Sequence, residues 1–138
     1  MEKEFEFINH TADVGIIAYG ADVNEAFANA AKGLFSLITE LDDVEEVVHR
    51  DIELTAPDQE SLLVGWLNEL IYLFDTENML FKRFDITQIS QTQLKARGYG
   101  HKVDSSKHKL KTGVKAATYH MLKIDKNNGV KAQVLFDV

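Results

Sequence analysis

The chain has 138 residues, 45 % of them hydrophobic, with one proline and no cysteine. This composition excludes a disordered chain and a thiolate metal site. The sequence contains no apolar run near ~20 residues and no signal-peptide pattern, so it predicts one cytoplasmic domain spanning residues 1–138. The formal net charge is −7, but residues 1–85 carry 19 acids and 5 bases while residues 86–138 carry 3 acids and 10 bases.

The first predicted elements are two strands joined by an unusual connection. Residues 4–7 alternate glutamate with phenylalanine, and residues 14–19 are apolar and β-prone. The connection between them, His10-Thr11-Ala12-Asp13, contains an imidazole, a hydroxyl and a carboxylate, whereas a plain hairpin needs only a Gly or Asn turn. These residues therefore indicate a site; the alternative is a turn in which Asp13 bonds its own backbone.

Two helices follow in the pattern. Asp22, with Glu25 three residues later, predicts a capping-box start, and a second helix is expected to begin near Pro57-Asp58 and to end in the polar residues 75–78. Apolar residues at helical spacing form a core-facing stripe on each helix. The stripes consist of Ala26, Phe27, Ala30, Ala31, Leu34, Phe35 and Ile38, and of Leu62, Leu63, Trp66, Leu67, Leu70, Ile71 and Phe74.

Strands account for most of the remaining chain, with a hairpin turn at Asn127-Asn128-Gly129. The expected strands cover residues 47–55, 81–89, 92–96, 113–124 and 130–138. The order ββαβαββββ predicts an α+β fold, in which two helices pack on a mostly antiparallel or mixed β-sheet.

The last predicted strand continues through Val138, so its terminal carboxylate lies beside the Asp137 side chain. Two such groups form half of a site for Ca²⁺ or Mg²⁺, which require several oxygen ligands. Asp13 is the best third carboxylate if the first and last strands are neighbours. The alternative is an ordinary polar-face aspartate beside a solvated terminus.

Three basic residues, His108, Lys115 and His120, are further candidates for a site. Lys115, among small strand residues, could reach an anion or a carboxylate, or it could protect an edge strand from aggregation. His120 is expected to be packed and hydrogen-bonded, and His108 to lie in a solvated loop.

No phosphate-binding loop, dinucleotide fingerprint, nucleophile elbow or His-Glu-x-x-His motif is present in the sequence. The basic second half lacks interleaved aromatic residues, which argues against direct nucleic-acid binding. The opposite charges of the two halves could form a bipolar surface that meets an anion or an acidic protein, or they could mix in three dimensions.

Four ordered strings along the chain, taken together, are similar to the archease family. They are His10-Thr11-Ala12-Asp13-Val14-Gly15, residues 66–75 (WLNELIYLFD), residues 114–120 (VKAATYH) and the ending Phe136-Asp137-Val138. Archeases are small α+β proteins that assist the GTP-dependent tRNA-splicing RNA ligase. They promote transfer of GMP onto the ligase, restore its turnover and broaden its nucleotide use, and they are not themselves catalysts.

The resemblance implies roles for individual residues. Asp13, Asp137 and the terminal carboxylate of Val138 would bind a divalent cation, Ca²⁺ in the family, with Mg²⁺ or Mn²⁺ as alternatives. Asp13, Lys115 and Asp137 would be needed for ligase activation. His10, Thr11 and His108 would support the site. Two departures from the family pattern, Tyr99 and Gly113, leave these ligands intact.

Two other functions are compatible with the sequence. One is a general chaperone or protein-interaction adaptor that uses the bipolar surface and no metal. The other is a metal-dependent hydrolase, for which His10 is the only candidate base near Asp13.

Overall fold

A computed structural model describes residues 3–10, 13–106 and 108–138, and for His10 the backbone alone. The elements are β1 (Phe5–His10), β2 (Asp13–Gly20), α1 (Val23–Ile38), β3 (Val48–Thr55), α2 (Gln59–Glu77), β4 (Met79–Ile89), β5 (Gln93–Lys102), β6 (Ala116–Asp125) and β7 (Val130–Asp137). A 3₁₀ turn, Leu41–Asp43, lies between α1 and β3. The predicted order of helices and strands is confirmed.

The strands of the described chain form two antiparallel sheets rather than one. The first has the order β1-β2-β7-β6 and the second the order β3-β5-β4. Helix α1 packs against β2 and β4, and α2 packs against β6 and β3, so each helix contacts both sheets. The α+β class is confirmed, and the strands divide because the helices take up the apolar inner faces of both sheets.

The two apolar stripes meet in one hydrophobic core. The indole N–H of the fully buried Trp66 on α2 donates to the carbonyl oxygen of Phe27 on α1, at 2.9 Å. A buried indole needs such a partner, because its donor would otherwise lose its bond to water. The Trp66 ring also meets Phe84 edge-on, at 5.8 Å between centroids. Through these two contacts, Trp66 connects α2 with both α1 and β4.

Both helix starts use aspartate caps. The Asp22 side chain accepts from the Glu25 N–H at 2.9 Å, and Glu25 accepts in return from the Ala21 N–H at 3.0 Å. The predicted capping-box-like start is confirmed, with the return bond made to the N–H of the residue before the cap. Asp58 caps α2 by accepting from the Ser61 N–H at 2.7 Å.

Strand β5 is longer than expected, because it runs through Gly98 and Gly100 to Lys102 instead of ending at residue 96. A Cβ on Gly98 would lie 2.8 Å from a ring carbon of Phe81, and one on Gly100 would lie 1.8 Å from the Leu80 carbonyl oxygen. The glycines therefore allow close packing within the sheet and do not end the strand.

Strand β6 begins at Ala116 rather than residue 113, and its pairing with β7 is interrupted. The register shifts between Thr118 and Lys123, and Met121 in that segment has a φ of 55°. At the far end the predicted turn is confirmed, with Asn128 at φ 55° and Gly129 at φ 86°.

Neither helix in the described part of the chain combines the length and apolarity needed to cross a bilayer.

Candidate functional site

One end of the four-stranded sheet collects the residues that the sequence singled out. His10, the last residue of β1, is opposite Asp13, the first residue of β2. Val14 is opposite Phe136 on β7, so Asp13 and Asp137 are the next residues on adjacent antiparallel strands. The first and last strands are not neighbours, but Asp13 begins the second strand, β2, which is the neighbour of β7.

Strand β6 brings Lys115 to the same end. Ala116 is opposite Asp137, and the Lys115 backbone N–H donates to the Asp137 carbonyl oxygen at 2.8 Å. The side chains of Lys115, Asp137 and Val138 are exposed, and Asp13 is half-buried. We call this region, defined by these four residues, the carboxylate end.

The chemistry of the carboxylate end fits a hard divalent cation. Ionised carboxylates offer only acceptor oxygens, which are the ligands that Ca²⁺ and Mg²⁺ prefer. Within residues 3–10, 13–106 and 108–138, no group of three His, Cys, Asp or Glu side chains could hold an ion. Asp13 and Asp137 supply two such side chains, and the third expected ligand is a main-chain carboxylate at Val138.

Two of the expected supporting residues are His10 and Thr11. The side chain of His10 and the whole of Thr11 lie outside the described residues.

His108 is buried, which corrects the expected solvated loop. Its side chain is 5 % exposed, its Nδ1 accepts from the Asp104 N–H at 2.9 Å, and its Nε2 is 3.0 Å from the Asp43 carbonyl oxygen. Because an amide can only donate, Nδ1 carries no proton and Nε2–H is the donor to Asp43. Both nitrogens hold the loop after β5 against the 3₁₀ turn, so neither is left to orient Asp13 or Asp137.

His120 is exposed, so its expected packing is wrong. It lies in the part of β6 where the register against β7 is shifted, between Thr118 and Lys123. Simple strand alternation placed it on an inner face, and the irregular pairing removes that alternation.

The acidic and basic halves of the chain interleave on the three-stranded sheet. Arg97 on β5 contacts Asp51 on β3 at 2.7 Å, and Lys95 contacts Glu53 at 3.9 Å. The hydrogen bond from Arg97 lowers the pKa of Asp51. Antiparallel pairing of β3 with β5 places these opposite charges side by side. On this face the two halves mix and do not form separate charged poles.

A second polar pair lies away from the carboxylate end. The Tyr19 hydroxyl donates to the Glu6 carboxylate, and this bond lowers the pKa of Glu6 and raises that of Tyr19. Tyr19 is near the end of β2, six residues from Asp13. The pair therefore stabilises the β1–β2 hairpin at its far end.

One polar contact next to the carboxylate end, between Asn68 and Ala117, is not predicted by the sequence. Asn68 on α2 bonds the backbone of Ala117 on β6. The sequence signal for this contact is an asparagine within the mostly apolar helix segment 66–71, because asparagine is not a favoured helix residue.

Comparison with known proteins assigns the family. The model of the archease protein family matches residues 5–138. The chain belongs to the archease family. It is 40 % identical to the archease of Methanosarcina mazei, over 99 % of this chain and 97 % of that one. It is 45 % identical to an archease of Saccharolobus islandicus, over 99 % of both chains.

Solved archease-like structures share the fold. The solution structure of protein 1598 from Methanobacterium thermoautotrophicum has a TM-score of 0.82 and 35 % identity, and covers 98 % of this chain and 99 % of its own. A Thermotoga maritima crystal structure, described as an archease and possible chaperone, has a TM-score of 0.59 and 20 % identity over 100 % of this chain and 98 % of its own. The second likeness concerns the fold alone.

Proposed function

We propose that this archease activates a GTP-dependent tRNA-splicing RNA ligase and has no catalytic activity of its own. It promotes transfer of GMP onto the ligase, sustains multiple turnover and broadens nucleotide use. The observation that carries the proposal is the convergence of Asp13, Lys115 and Asp137 at one end of one sheet, from three separate parts of the chain. The ligase is proposed as the partner because the sequence resembles the archeases, and the family membership supports this choice.

The same end would hold a divalent cation. Asp13, Asp137 and the terminal carboxylate of Val138 are the ligands, Ca²⁺ is the expected ion, and Mg²⁺ or Mn²⁺ are the alternatives. When bound, such an ion supplies positive charge that can neutralise phosphate oxygens.

The remaining roles belong to side chains of this protein. The exposed ammonium of Lys115 is available to a partner, where it binds a phosphate or a carboxylate of the ligase. Asp13 and Asp137 hold acceptor oxygens on two paired strands. The partner is the ligase protein, with no direct role for RNA or membrane binding.

Multiple-turnover RNA ligation by the cognate ligase tests the proposal. The native protein should increase the product formed per ligase, and Asp13→Ala, Asp137→Ala and Lys115→Ala should each lose the increase. Asp51→Ala is the matched control, because it removes an exposed acid from the other sheet. Full stimulation by both Asp13→Ala and Asp137→Ala would refute the proposal.

The alternative function, a general chaperone, makes different predictions for the same purified protein. A chaperone would suppress aggregation of unrelated proteins, and chelation of divalent ions would leave its effect unchanged. The mixing of charges on the three-stranded sheet removes part of the bipolar surface on which that alternative relied.

A further inference from the structure

We infer that Asn68 is a positioning residue for Lys115, through which helix α2 holds the start of strand β6. The inference rests on the proposed function, because Lys115 is assigned there to ligase activation.

Asn68 bonds both backbone polar groups of one β6 residue. Its Oδ1 accepts from the Ala117 N–H at 2.8 Å, and its Nδ2 donates to the Ala117 carbonyl oxygen over a longer 3.4 Å. Strand β6 is the outermost strand of its sheet and pairs only with β7. The side-chain amide therefore occupies the position that the backbone of a further strand would take.

The start of β6 has little other support from its sheet. The register pairs Ala116, Ala117 and Thr118 with β7, and regular pairing resumes only at Lys123. Three residue pairs followed by an irregular segment form a short ladder. A bidentate side-chain contact to the middle residue of that ladder restricts the strand just before the segment that the sheet does not pair.

The contact between Asn68 and Ala117 is close to Lys115 along the chain. Lys115 is two residues before Ala117, and its N–H donates to the Asp137 carbonyl oxygen at 2.8 Å. Ala117 is 6 % exposed, so its side of the strand is fixed against the interior. The position of the Lys115 side chain consequently depends on where Asn68 places Ala117.

Asp13 depends on Asn68 least. It lies on β2, whose ladder with β7 runs from Val14–Phe136 to Gly20–Val130 and does not include β6. Asp137 is closer to β6, because it is opposite Ala116 and its carbonyl oxygen accepts from the Lys115 N–H. Loss of the Asn68 contact should therefore displace Lys115 most and leave Asp13 in place.

The test compares Asn68→Leu with native protein in two assays. Ligase activation should fall about tenfold, the scale of loss when a residue that orients a functional group is removed. Ca²⁺ affinity, measured by calorimetry, should fall by a smaller factor than activation, because Asp13 lies on β2, which does not pair with β6.

Asn29→Leu is the matched control. Asn29 on α1 is buried, and its amide donates to the Tyr19 carbonyl oxygen at 2.7 Å, at the opposite end of the same sheet. It should lower the Tm in the same way as Asn68→Leu and retain full activation below that temperature. Asn68→Asp keeps the acceptor for the Ala117 N–H, and it should retain part of the activation if Asn68→Leu fails to fold.

Two results would overturn the inference and leave the proposed function standing. They are full activation by folded Asn68→Leu, and a loss of Ca²⁺ affinity by the same factor as the loss of activation. Failure of the native protein to activate the ligase would instead overturn the proposed function and this inference with it.

Discussion

At the scale of single residues, hydrogen-bond partners distant in sequence decide what each polar side chain does. The sequence predicted a solvated loop at His108, whereas bonds to the backbone of Asp43 and Asp104 accompany a buried ring. The sequence made Asp13 a neighbour of Asp137 only on condition of a strand pairing, and the register of β2 with β7 brings the two residues together. The contact of Asn68 could not be predicted, because its partner Ala117 is 49 residues away and no local pattern connects them.

Replacing His108 should weaken the fold. His108→Leu removes the hydrogen bonds to the Asp104 N–H and the Asp43 carbonyl oxygen, and each such bond contributes about 0.5–1.5 kcal/mol. Urea unfolding should show this loss, and the exposed His49→Leu should show a much smaller one. Equal stability of His108→Leu and native protein would mean that these bonds contribute nothing.

The Glu6–Tyr19 bond should make stability depend on pH. The folded pKa of Glu6 is lowered, first by the bond from Tyr19 and then by Lys3. Its contribution is therefore complete above the ordinary pKa of glutamate and is lost as the pH falls through the folded value. The difference in unfolding free energy between native protein and Tyr19→Phe should be larger at pH 7 than near pH 3. A difference that does not change with pH would contradict this assignment.

At the scale of elements, local patterns predicted the helices better than the sheets. Caps and apolar stripes lie within one helix, so Asp22, Asp58 and the residues after them located both helices. The division into two sheets depends on pairings between distant strands, which no single segment encodes. The sequence predicts only residues 92–96 of strand β5, whereas the strand continues through Gly98 and Gly100, which pack closely against β4.

The glycines of β5 provide a stringent test of that packing. Gly100→Ala would place a Cβ 1.8 Å from a backbone oxygen, which only a backbone shift can relieve. The expected loss is about 1–3 kcal/mol or more, the range for overpacked sites. Gly113→Ala is the control, since a Cβ there meets nothing within 4 Å. Thermal unfolding that does not separate the two variants would contradict the β4–β5 contact.

At the scale of the whole molecule, the fold brings the ends of separate chain segments to one place. Helices contact both sheets, β2 and β7 are neighbours, and α2 holds the start of β6. This arrangement presents Asp13, Asp137 and Lys115 together on a stable frame. The central claim is that these side chains act on the ligase as one unit.

Guanylylation of the cognate ligase tests that claim most directly. Labelled GTP is mixed with ligase and native protein, Asp13→Asn, Asp137→Asn or Asp51→Asn, and covalent GMP on the ligase is measured over time. The account predicts faster guanylylation with native protein and Asp51→Asn, and no acceleration with Asp13→Asn or Asp137→Asn. Equal acceleration by all four proteins would contradict it.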